Sequence, residues 1–74
     1  MKPTDTQKQI IEAIRTNHPE HIEKGSSVIT SYDNLYKMLP DIHEDEIMAA
    51  IAEMNSVKIL DSLTGSLQFF PTLF

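Results

Sequence analysis

Val28-Ile29-Thr30-Ser31-Tyr32-Asp33-Asn34-Leu35 is the stretch on which the fold turns. Val28, Ile29 and Thr30 form a β-branched run too short for a helix and suited to one edge-type strand. Ser31 stands where a helix N-cap is needed, since its hydroxyl can accept from a first-turn amide. Behind it Tyr32, Leu35, Tyr36, Met38 and Leu39 recur at the spacing of one helix face. Pro40-Asp41 ends that helix as a turn. The core of the reading is thus a strand that feeds directly into a capped amphipathic helix.

Upstream, Thr4 with Gln7 three residues on makes a capping-box pattern, and Ile10, Ile11 and Ile14 continue as an apolar helical stripe. Glu12 lies one turn from Lys8, within reach of an ion pair. Asn17 closes the helix, and Pro19 biases His18 away from helical backbone. Residues Pro19 to Lys24 fit a single helical turn with Pro at its first position and Gly25 at its end. Downstream, Glu44-Asp45-Glu46 puts three acids in the first turn of another helix, where the helix dipole favours negative charge. Ile47, Ala50, Ile51 and Met54 form its buried stripe, and Asn55-Ser56 its exit. The pattern then becomes strand-like. Val57-Lys58-Ile59-Leu60-Asp61 and Leu67-Gln68-Phe69-Phe70 read as a β-hairpin joined by Leu63-Thr64-Gly65-Ser66, with Pro71 ending the second strand.

The 74 residues fit one domain, 1–74, with no internal repeat. An apolar share of 41% is enough for a globular core and too high for a disordered chain. The absence of cysteine excludes disulfides and thiolate metal sites, so packing must hold the fold, helped by any self-association. No apolar run nears the roughly 20 residues of a membrane span, and no leader-like apolar segment follows Met1-Lys2-Pro3-Thr4-Asp5. The expected location is the cytoplasm, and the opening Met1-Lys2 reads as a natural start.

Taken in order, these elements resemble a winged helix-turn-helix domain over nearly the whole chain. The resemblance is carried by Val28 to Leu35, by His43-Glu44-Asp45-Glu46-Ile47 as the start of the family's third helix, and by Val57 to Phe70 as its wing. It implies an α+β, mainly α fold: three helices, a short strand and a C-terminal β-hairpin wing. It also implies a regulatory role in transcription or DNA maintenance, with the third helix in the major groove and the wing on the DNA backbone.

The charges oppose the usual form of that role. The net charge is −5, and duplex affinity comes largely from cations that neutralise phosphate. Acids and bases balance over residues 1–25 and 57–74, so the whole surplus lies in residues 26–56, where Lys37 faces six acids. With Ile47, Ala50, Ile51 and Met54 inward, the outward face of the third helix is Asp45, Ala49, Ala52 and Ser56, flanked by Glu46, Glu53 and Met48. The Arg, Lys, Asn or Gln that read bases in the major groove are missing from its centre.

Two uses of the fold follow. In the first, the protein touches duplex DNA weakly and atypically, through Lys58 and the wing residues Thr64, Gly65 and Ser66, with Lys8, Arg15 and Lys37 adding phosphate contacts and a dimer doubling them. This reading leads on family resemblance. In the second, it is a protein-interaction module that binds no nucleic acid. Candidate protein contacts are Asp45, Met48, Ala49 and Ala52 on the third helix, and Phe70, Leu73 and Phe74 in the apolar tail. Homodimerisation is the preferred form of an interface through the tail, and a tail that folds back to close the core is an equal alternative to any such interface.

Tyr32 and Tyr36, one turn apart, suit core packing better than base stacking. His18 and His21 lack a third ligand and read as surface residues, so no metal is expected. No cofactor, small-molecule substrate or catalytic residue is expected either, since no phosphate loop, thiol or Ser-His-Asp pattern stands out.

Overall fold

A computed structural model describes the chain over residues 3–73, and its side chains over residues 5–72. The elements run α1 (Pro3–Asn17), α2 (Pro19–Lys24), β1 (Val28–Ser31), α3 (Tyr32–Met38), α4 (Glu44–Ala52), β2 (Val57–Asp61) and β3 (Ser66–Phe69), then a 3₁₀ turn, Pro71–Leu73. The result is an α+β fold, mostly helical, of four helices and one three-stranded antiparallel sheet. Its radius of gyration, 11.3 Å, equals the value of about 11 Å expected for a single folded unit of this length.

Local chemistry accounts for most boundaries. Ser31 is extended, and its Oγ accepts from the Asn34 amide at 3.2 Å, so β1 turns into α3 without a linker. Gly25 closes α2 in the left-handed region at φ 69°, where an L side chain would be strained. His43 caps α4, its Nδ1 accepting from the Asp45 amide at 3.1 Å. The same nitrogen lies 3.7 Å from Asp45 Oδ2.

The sheet is ordered β1-β3-β2, so β3 lies in the middle. In its register Val28 faces Phe69 and Thr30 faces Leu67 on one side, while Val57 faces Phe69 and Ile59 faces Leu67 on the other. Directly opposed residues share a sheet face, so one face carries Val28, Leu67 and Phe69 against the helices. The helices complete the core with Ile10 and Ile14 of α1, Leu35 of α3, Ile42, and Ile47, Ala50 and Ile51 of α4. Gln7 donates its Nε2 to the Ala50 carbonyl at 3.3 Å and ties α1 to α4. Partial burial of Tyr32, Tyr36, Met38 and Leu39 against this core leaves Leu35 as the only fully buried side chain of α3.

Several details depart from the sequence reading. Gln7 reaches across to α4, and the expected capping partner Thr4 has its side chain outside those described. Glu12 meets Arg15, at 3.7 Å, rather than Lys8. The last long helix stops at Ala52, so Met54 is buried from the turn beyond it and Ser56 leaves the helix face. The second hairpin strand starts and stops one residue early, and Phe70 follows it half-buried, its amide donating to the Ser56 carbonyl at 3.0 Å.

Candidate functional site

The exposed side of α4 is the main candidate surface. Burying Ile47, Ala50 and Ile51 forces the opposite residues into solvent. Glu44, Asp45, Glu46, Ala49, Ala52 and Glu53 are all exposed, and Met48 is 46% exposed. The face thus carries four carboxylates around a low apolar strip of Met48, Ala49 and Ala52. The negative field extends onto α3. The Tyr36 hydroxyl is pushed above its ordinary pKa by burial first, then by Glu44, Tyr32, Asp33 and Asp45. Tyr36 stacks on Tyr32 with ring centroids 6.2 Å apart, so both tyrosines pack along the edge of the core.

The hairpin is the second candidate. Gly65 takes φ 71°, and its carbonyl accepts from the Tyr32 amide at 3.1 Å. A Cβ there would stand 3.1 Å from Tyr32 Cδ2. The turn is thereby seated on the start of α3, with Gly65 and Ser66 half-buried and Thr64 exposed. Thr64 Oγ1 and Ser66 Oγ share a hydrogen bond of 2.9 Å, and the Leu63 amide donates to Asp61 Oδ1 at 2.9 Å. Leu63 itself, 96% exposed, forms the tip.

The four candidate cations spread over three elements. Lys8 and Arg15 lie two turns apart on α1, Lys37 in the last turn of α3, and Lys58 on β2. All four are exposed, and Glu12 offsets Arg15. Phe70 is half-buried; Leu73 and Phe74, the rest of the expected apolar tail, lie outside the described side chains. Sequence reasoning missed the exposed apolar residues Ile29, Ile59, Leu60 and Leu63. The run Val57 to Leu60 was legible as a strand, but not as one that ends at a sheet edge.

No family model, curated protein or solved structure matches this chain.

The α4 face and the hairpin therefore stand on their own geometry. Elsewhere, His18 and His21 meet edge to face at 5.7 Å, and Glu20, His21, Lys24 and Ser26 line a shallow depression. Among the described residues no three His, Cys, Asp or Glu come together as a metal site, and no helix is long and apolar enough to cross a membrane.

Proposed function

We propose that the chain is a winged helix-turn-helix domain that works as a small non-enzymatic regulatory module, docking a basic segment of a protein partner on α4. Support for the architecture comes from the element order and from β1 pairing with β3 beside the hairpin. The single observation that carries the function is the exposed face of α4, where Glu44, Asp45, Glu46 and Glu53 surround Met48, Ala49 and Ala52 with no cation among them. Phosphate is repelled by such a face and a lysine- or arginine-rich helix is attracted. The small alanines allow close approach, and the methionine adapts to an irregular partner. The link to transcription or DNA maintenance rests on the family resemblance, and a cytoplasmic location on the cysteine-free composition.

Exposed Lys58 and Thr64 on the hairpin favour a second reading, weak duplex contact through the wing. One titration separates the two. A labelled lysine-rich amphipathic peptide and a duplex of random sequence are each added to the protein at low salt. The expected result is peptide binding, weakened about tenfold or more by Glu44→Lys, Asp45→Lys and Glu46→Lys together, with no duplex binding. Duplex binding lost on raising salt and on Lys58→Glu, with the peptide ignored, selects the wing reading instead.

A further inference from the structure

The edge strand β2 pairs on one side only, with β3. Unpaired strand edges recruit further strands, and proteins ordinarily blunt them with charge, proline, bulges or burial. Here the edge carries Ile59, 53% exposed, and Leu60, 43% exposed, with Lys58 and Asp61 as its only charges. Ile59 stands opposite Leu67 and so lies on the core face of the sheet, but it projects beyond the cover of the helices. It is the uncovered end of the hydrophobic core.

The irregularity between Ile59 and Asp61 makes this edge self-complementary. Lys58 faces Gln68, Ile59 faces Leu67 and Asp61 faces Ser66. Gln68 and Ser66 are two residues apart on β3, so Lys58 and Asp61 share the outer sheet face on either side of Ile59. In an unbroken strand, residues three apart would point to opposite faces. The extra residue, Leu60, removes that mismatch. An antiparallel copy of β2 laid along the edge, with the two-fold axis at Ile59, then sets Lys58 of each chain across from Asp61 of the other. The same axis brings the two Ile59 side chains together on the core face, beside both helical layers.

We propose that the β2 edge is a homodimerisation surface, joining two copies through an antiparallel β2–β2 contact into one continuous six-stranded sheet. Its occupant is a second copy of this chain, selected by the reciprocal Lys58–Asp61 pairing and by the burial of Ile59. The contact involves only a short strand from each chain. It falls at the small end of specific interfaces, so the dimer forms reversibly. The surface is separate from the α4 face, and a basic partner there neither requires nor prevents it.

Sedimentation velocity of the full chain over a concentration series tests the proposal. The wild type is expected to shift from monomer to dimer, and Lys58→Glu or Asp61→Lys alone to move that transition at least tenfold higher. An equimolar mixture of the two variants restores dimerisation near the wild-type concentration, because each altered side chain then meets an opposite charge. Asp61 also accepts from the Leu63 amide, so Asp61→Lys can loosen the hairpin. If circular dichroism shows it unfolded, Lys58→Glu decides alone, since Lys58 is exposed. A wild type that stays monomeric to millimolar concentration, or a dimer indifferent to Lys58→Glu, overturns the proposal.

Discussion

Replacing either glycine by alanine should destabilise the protein, and Gly65→Ala should cost more than Gly25→Ala. Both residues sit in the left-handed region, Gly25 at φ 69° and Gly65 at φ 71°, so the backbone penalty is nearly the same. It amounts to about 1–2 kcal/mol for a residue with a Cβ. Their surroundings differ. A Cβ on Gly25 meets nothing within 4 Å, whereas one on Gly65 stands 3.1 Å from Tyr32 Cδ2. Relief requires the Tyr32 ring to move, yet that ring stacks on Tyr36 and its backbone amide donates to the Gly65 carbonyl. Pushing a side chain off its preferred rotamer adds about 0.5–1.5 kcal/mol. Urea unfolding at pH 7 should therefore rank the chains wild type, Gly25→Ala, Gly65→Ala, with the last two separated by about 1 kcal/mol. Tyr32→Ala in the Gly65→Ala background should erase that separation. Equal losses at the two glycines, or a separation that survives Tyr32→Ala, would refute the seating of the hairpin on α3.

Leu35→Ala removes the one fully buried side chain of α3 and should cost about 2–5 kcal/mol, a large share of the roughly 4–11 kcal/mol available to a domain this size; a lowered urea midpoint with unchanged slope is the expected reading. Tyr36 predicts an alkaline loss of stability. Its folded pKa lies above the unfolded 10.0, so the native state holds the proton more tightly. That contribution is complete below about pH 10 and is lost as pH rises through the folded value. Urea midpoints measured from neutral to strongly alkaline pH should accordingly fall less steeply for Tyr36→Phe than for the wild type.

The acidic α4 face and the open β2 edge place different demands on the same small core. The first follows from helix periodicity alone, because burying Ile47, Ala50 and Ile51 leaves Glu44, Asp45, Glu46 and Glu53 no route but outward. The second depends on which strand occupies the middle of the sheet.

Sequence alone settled the local features of this protein. Ser31 and Gly25 define element ends through their own hydrogen bonds and φ angle, and Ile10, Ile14, Ile47 and Ile51 mark their faces by spacing. Segregation of the negative charge into residues 26–56 is likewise a property of the primary structure. Tertiary structure decided what depends on distant pairing: β3 lies between β1 and β2, Gln7 reaches Ala50, and the irregularity at Leu60 turns Lys58 and Asp61 to one face. A helix face repeats within a few residues and can be read from its own segment. The cover over a strand comes from residues far along the chain, and no local pattern records which of its edges they leave open.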